Sequence, residues 1–322
     1  MRTRKDRLPQ FGARLPGISR LPGTRIAALL GAAASLAAVG GVVPAHAAGV
    51  LDPHGPVASA ERLILIDATA IMLVVVLPVI IATPVMAWWF RESNPRARRL
   101  PDWAYSGQLE LLVWSVPALV ILFLGGVAWI GAHDLDPGRP LDSGVRPMQI
   151  EVVSLDWKWL FIYPDQGVAS INRLVIPVGV PVRFRMTSAT VWNVFWVPQL
   201  GSMLYCMNGM ASTLHLQADH AGVYPGLSAM FSGDGFATMH FDAEAVPMAA
   251  FSAWNRAAQA EGRVLDERSY RDLLVQQAGV KPYTYRSVSP GLFEAIVMQH
   301  LPPGDGPPKE PPRSQVRPES AR

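Results

Sequence analysis

Residues 68–90 and 111–131 contain no Asp, Glu, Lys or Arg. At about 1.5 Å per residue in a helix, each run reaches across the roughly 30 Å hydrocarbon layer of a bilayer. Few chains can hide two such runs in a water-soluble core, so the fold is predicted to begin with a transmembrane hairpin over residues 48–140, with spans at about 66–90 and 109–131. Pro78, Pro84 and Pro117 lie inside the spans, where membrane helices tolerate proline. Trp88, Trp89, Trp103 and Trp129 lie near the ends, where amphipathic rings favour the interface. A content of 50% hydrophobic and 16% charged residues agrees with a membrane protein.

The connecting loop carries Arg91, Arg96, Arg98 and Arg99 against Glu92 and Asp102, whereas His133, Asp134 and Asp136 follow the second span. By the positive-inside rule the loop is cytoplasmic. Everything after about residue 133 then faces the periplasm of a bacterium, and the chain is a multi-pass protein of the inner membrane. The net charge of +3 is concentrated at the start, where Arg2, Arg4, Lys5, Arg7, Arg14, Arg20 and Arg25 face a single acid, Asp6. The remainder is close to neutral, which argues against a nucleic-acid partner. After the basic start come an apolar run over residues 26–43 and an A-x-A site at Ala45 and Ala47. Residues 1–47 therefore read as a signal peptide cleaved after Ala47, the alternative being a third membrane helix.

From residue 145 to 243 the pattern changes to short runs rich in branched and aromatic side chains, broken by Gly, Pro and Asn. That many strands in so short a segment predicts an all-β Greek-key sandwich. Residues 247–300 turn helical, with Phe251, Trp254, Ala257 and Ala258 at helical spacing, then Tyr270, Leu273 and Leu274, and a shorter piece over 292–300. This arm either braces the sandwich or stands free. Proline, glycine and charge dominate residues 301–322, a composition expected of a disordered tail.

Residues 227–241 read as a strand, a tight Ser-Gly-Asp-Gly turn and a second strand over residues 235–241. Within them Ser228, Ser232, Phe236 and Met239 stand at intervals of four, four and three. This register resembles the copper loop of subunit II of the haem-copper oxidases, where two cysteines, a histidine and a methionine hold a dinuclear copper centre. The resemblance extends to Asn193-Val194-Phe195-Trp196-Val197-Pro198, which matches a His-x-Phe-x-x-Pro segment carrying a further copper ligand. Hydroxyl, phenyl and carboxamide groups occupy four of these places, and copper needs thiolate or imidazole there. Met239 alone is retained, and a lone methionine is far more often a core gap-filler than a ligand.

The emptied loop, with Pro-Leu-Asp-Ser-Gly and Ile-Glu-Val-Val-Ser-Leu-Asp-Trp-Lys-Trp, is similar to the cytochrome o ubiquinol oxidase subunit II family. That resemblance implies a cupredoxin-like sandwich and a non-catalytic subunit that binds no cofactor itself. Haems, the catalytic copper and the ubiquinol site are then expected in subunit I, with further small membrane subunits as partners. Glu110, in Glu-x-x-x-Trp-x-x-Pro with Trp114 and Pro117, matches a glutamate near the mouth of the neighbouring subunit's proton-uptake channel. From its position alone it reads equally as an interfacial carboxylate, and Asp67 reads as interfacial. The tryptophans of Asp156-Trp157-Lys158-Trp159 resemble the electron-accepting patch of copper-bearing relatives and, without copper, read as packing. His215, His220 and His240 match no metal spacing and are expected to face solvent. Cys206, the only cysteine, can form no intramolecular disulfide and is expected to be a buried thiol. The rival readings are a copper-bearing subunit II of a cytochrome c oxidase, and a membrane-tethered scaffold with no oxidase.

Overall fold

The structure, a computed structural model, describes residues 49–98 and 102–304. The expected signal peptide and residues 305–322 of the expected tail lie outside that range.

Helix α1 runs over Pro56–Trp89 and helix α2 over Gly107–Asp134. Both are longer than the uncharged runs. The 34 residues of α1 measure about 51 Å against roughly 30 Å of hydrocarbon. Their apolar side chains are exposed along the length, as at Val74 and Leu122, which suits lipid or a partner helix. The excess length of α1 lies at its start, where Val57 and Ala58 are buried against the next domain. Pro56 stands in the first turn, where a missing N–H costs nothing.

The following domain is a sandwich of two sheets. Its strands are β1 (Met148–Leu155), β2 (Lys158–Tyr163), β3 (Val168–Ile171), β4 (Arg173–Pro177), β5 (Val182–Ser188), β6 (Asn193–Trp196), β7 (Leu204–Cys206), β8 (Ser212–Leu216), β9 (Gly222–Ser228), β10 (His240–Val246), β11 (Arg263–Leu265) and β12 (Tyr283–Val288). One sheet has the order β11-β12-β3-β2-β1-β5-β8 and the other β4-β10-β9-β6-β7. Between them pack Ile150, Val152, Trp159, Phe161, Phe184, Phe195 and Phe241, with the Phe195 and Phe241 rings stacked at 5.2 Å. All six residues of β2 are buried. The reason is a second core on the outer face of the same sheet, where Val153, Leu155, Leu160 and Ile162 meet Tyr270, Leu273, Phe293 and Ile296. A strand covered on both sides shows no polar alternation, hence the unbroken Lys-Trp-Leu-Phe-Ile-Tyr run.

The arm differs from a purely helical one. Helices α3 (Met248–Ala260), α4 (Glu267–Leu273) and α5 (Leu292–Val297) are joined by β11 and β12, which extend the larger sheet through β3. The arm is thus part of the domain and covers the outer face of the larger sheet at β1, β2 and β3. Asp266 caps α4 by accepting the Ser269 N–H at 2.8 Å.

The sandwich is seated directly on the hairpin. The His54 N–H donates to the Gln199 carbonyl at 2.8 Å, the Asp219 N–H to the His54 carbonyl at 2.8 Å, and the Ala58 N–H to the Leu200 carbonyl. Ser202 donates its hydroxyl hydrogen to the Glu61 carboxylate. Just past the end of α2, the Pro137 carbonyl meets both the backbone N–H and the ring Nδ1 of His215.

Candidate functional site

Strands β9 and β10 pair from His240↔Leu227 onward, and the Ser228 N–H donates to the Met239 carbonyl at 3.2 Å. Residues 229–239 therefore form a wide loop, not the tight turn that the glycines suggest. The expected strand over residues 235–241 is also corrected. Phe236–Thr238 is a single 3-10 turn, with the Thr238 hydroxyl donating to the Gly235 carbonyl at 2.8 Å, and the strand begins only at His240. The extra backbone lets the loop fold down over a floor from the other sheet.

Ser228 and Asn193 meet beneath the loop. The Ser228 hydroxyl donates to Asn193 Oδ1 at 3.0 Å, and Asn193 Nδ2 donates to the Val191 carbonyl at 3.3 Å and reaches Ser154 Oγ at 3.5 Å. All three side chains are buried. Paired amide and hydroxyl groups fill this space with mutually satisfied hydrogen bonds. Ser232 is buried too, but its hydroxyl has no hydrogen-bond partner among the described residues. Phe236 packs edge-on against Phe231 at 5.6 Å, and Phe231 is 73% exposed. Met239 is buried in the main core, as expected of a gap-filling side chain.

The Asp-Trp-Lys-Trp motif is the floor. Trp157 turns the chain from β1 into β2 at φ 63, and its indole N–H donates to the Ser232 carbonyl at 3.1 Å. Gly235 lies flat on the Trp157 ring, and a Cβ there would overlap it. Trp159 is fully buried against Phe195 and Phe241. Lys158 is buried and donates to the Val275 carbonyl at 2.7 Å; burial pulls its pKa down and Asp156 opposes that. Asp156 accepts from Thr190 at 2.5 Å and from Gln276 at 3.0 Å, and the Gly279 N–H donates to the Thr238 hydroxyl at 3.2 Å. The segment between α4 and β12 thus straps the loop and the tryptophan turn together. No local pattern in the chain signals that strap.

The donor set does not fit copper: of the five matched positions only Met239 offers a soft atom. Among the described residues no group of three or more His, Cys, Asp or Glu side chains is placed to hold a metal ion. His220 lies beside His54, ring centres 5.6 Å apart, while His215 sits by Pro137 on β8 and His240 on β10. His220 and His240 are exposed as expected, but His215 is buried at 5% exposure. Burial and Arg183 pull its pKa down while the Pro137 hydrogen bond raises it. Cys206 is buried, and desolvation pushes its thiol up to about 12, so it is no ready thiolate ligand. Glu110 stands in the first turn of α2 with its side chain exposed, far along the hairpin from the sandwich.

Residues 166–246 match the family model of the cytochrome c oxidase subunit II periplasmic domain. A Pseudomonas aeruginosa protein, cytochrome bo(3) ubiquinol oxidase subunit 2, is 45% identical over 256 residues, covering 80% of this chain and 77% of that one. The chain belongs to the ubiquinol oxidase subunit 2 family. A second ubiquinol oxidase subunit 2, from Acetobacter aceti, is 43% identical over 78% of this chain and 82% of its own. Among solved structures, the periplasmic domain of subunit II of cytochrome oxidase of Bradyrhizobium japonicum aligns over 35% of this chain and 94% of that one, at 23% identity and a TM-score of 0.34. As a ubiquinol oxidase subunit 2, the chain is a membrane-anchored member of a multi-subunit oxidoreductase, with a cupredoxin-like sandwich carried on two helices.

Proposed function

We propose that this subunit serves its oxidase without carrying electrons. The complex oxidises ubiquinol, reduces oxygen to water and translocates protons across the bacterial inner membrane. Haems and the catalytic copper belong to subunit I, where ubiquinol delivers electrons from within the membrane, so no periplasmic relay is needed. The present chain, with further small subunits, anchors and caps that partner, and Glu110 stands at its proton-uptake entrance.

One observation carries the reading. The Ser228 hydroxyl and the Asn193 carboxamide bond to each other at 3.0 Å at two of the matched copper positions. Their polar atoms serve one another, which leaves a hard, weakly donating pair where copper would require thiolate and imidazole. Support for the Glu110 assignment is its place in the first turn of α2, exposed at the end that the arginine-rich loop puts in the cytoplasm.

The test is metal analysis with visible spectroscopy of the full chain expressed in membranes without its partner subunits. Copper below one atom per several chains, with no visible band, is the expected result. Two copper atoms per chain with strong visible absorption would replace this reading with that of an electron-transferring subunit.

A further inference from the structure

Two cavities lie side by side where the hairpin meets the sandwich. The first, about 490 Å³, is lined by Arg146, Arg183, Gln149 and Thr213, with Pro140 and His215 on its border. Among the described residues Arg146 and Arg183 have no ion pair and no side-chain hydrogen bond, and no carboxylate lines the cavity. The second, about 270 Å³, shares Pro140 and His215 and is lined by Asp134, Asp136, Asp142 and Arg139. Asp134 pairs with Arg139 at 3.6 Å and Asp136 accepts the Gly138 N–H at 2.8 Å, while Asp142 has no ion pair among the described residues. Val57, Leu135, Leu141 and Leu214 add an apolar side, and Ser202 lines the cavity as well.

Their depth is informative. The uncharged run of α2 ends at Gly131, and the helix continues to Asp134, a rise of about 4.5 Å. Lipid headgroups occupy roughly 5–7 Å on each side of the hydrocarbon, so the second cavity, lined by Asp134, stands at the headgroup layer on the sandwich side, and the first adjoins it through Pro140 and His215.

We propose that this pair of cavities binds one zwitterionic phosphoethanolamine headgroup of a membrane lipid. The phosphodiester takes the free guanidinium groups of Arg146 and Arg183, whose planar donors suit phosphate oxygens. The ammonium, two carbons away, turns into the aspartate-lined cavity, where it has three N–H donors to offer. A choline headgroup has no N–H donor and favours the faces of Trp, Tyr or Phe, none of which lines this cavity. An anionic headgroup with no ammonium leaves the aspartates unanswered. The inference rests on the hairpin spanning the membrane and is independent of the absence of copper.

The test uses the assembled complex with the full chain, reconstituted with a phosphatidylethanolamine that bears a photoreactive group near the glycerol. Cross-linked peptides are mapped after irradiation. Labelling of peptides from residues 134–149 or 213–215 is expected, displaced by unlabelled phosphatidylethanolamine but not by phosphatidylcholine or phosphatidylglycerol. The double variant Arg146→Ala, Arg183→Ala lowers that labelling roughly tenfold. Both side chains are exposed, so the fold is retained. The double variant Asp136→Asn, Asp142→Asn binds phosphatidylcholine and phosphatidylethanolamine alike, a change of preference that a structural role would not produce. Equal competition by all three lipids, or labelling indifferent to the arginines, overturns the proposal. So does displacement by soluble phosphoethanolamine, which would make the ligand a free metabolite. Cross-linking of a photoreactive residue at position 213 to another subunit assigns the groove to a protein contact and also overturns it.

Discussion

Ser228 and Ser232 are both buried serines of one loop, yet they differ in what their hydroxyls do. Ser228 donates to Asn193 Oδ1 at 3.0 Å, whereas Ser232 Oγ has no partner among the described residues. Ser228→Ala orphans a buried amide oxygen and is expected to lower stability by about 1–3 kcal/mol. Ser232→Ala has no bond to lose and is expected to cost less than about 1 kcal/mol. Thermal unfolding of the two variants side by side checks this, and an equal loss in both would contradict it. Glu151 gives a pH prediction. Burial pushes its carboxyl up from 4.5 to about 7, against the pull of Arg185 at 3.5 Å and with a push from Glu294. The folded state holds this proton to higher pH than the unfolded chain does. The stability contributed by the protonated form is therefore complete below about pH 4.5 and is lost as pH rises to about 7, on the order of 2 kcal/mol in all. In Glu151→Gln that slope between pH 5 and 7 is expected to flatten, which melting curves across the range would reveal. Residues of this kind are the least legible in sequence. Cys206 is buried as its type suggests, but nothing in the spacing of His215 shows that Pro137, from the segment after α2, covers it. Nor does Trp157 announce that its indole holds a loop distant in the chain.

At the scale of elements, the membrane spans were readable because lipid imposes one simple rule, a long run without charge. The start of α1 was not, since residues 56–65 carry charge and obey the sandwich rather than the bilayer. The strands over residues 145–243 were legible as a group from their branched and aromatic runs. By contrast, β11 and β12 pair in parallel with each other and reach the sheet through β3, a long-range choice that local pattern does not encode. The loop over 229–239 misled for a related reason: its glycines signal a tight turn, but Gly235 is small because it lies on Trp157. Gly55 makes a similar contact at the foot of the sandwich. Its φ of −148 is open to any residue, yet a Cβ would strike the Gln217 backbone carbonyl, which has no side-chain freedom with which to yield. Gly55→Ala is therefore expected to cost about 1–3 kcal/mol by overpacking and to part the start of α1 from the sandwich. Faster proteolysis near residues 49–56, with the sandwich itself resistant, is the signature sought. Unchanged cleavage would mean that the seat is softer than these contacts imply.

For the whole molecule, the two ends of the hairpin have different tasks. The upper end is locked to the sandwich by backbone hydrogen bonds from His54, Ala58 and Asp219 and by the contact of His215 with Pro137. The lower end has no such partner among the described residues, and the first turn of α2 presents Glu110 to its surroundings. The use of that carboxylate must come from what a partner places beside it. Glu110→Gln removes the titrating group while keeping size and hydrogen-bonding capacity, so assembly of the complex and the melting of the sandwich are expected to match the parent. Proton-coupled reduction of the oxygen-reducing site is expected to slow several-fold, and most at high pH, where protons are scarce and a collecting carboxylate matters most. Flash-initiated kinetics on the assembled complex separate that effect from a change in quinol binding, which would appear as a shift in KM alone. An assembled Glu110→Gln complex with parental kinetics at every pH would reduce Glu110 to an interfacial anchor and leave this chain a purely architectural subunit.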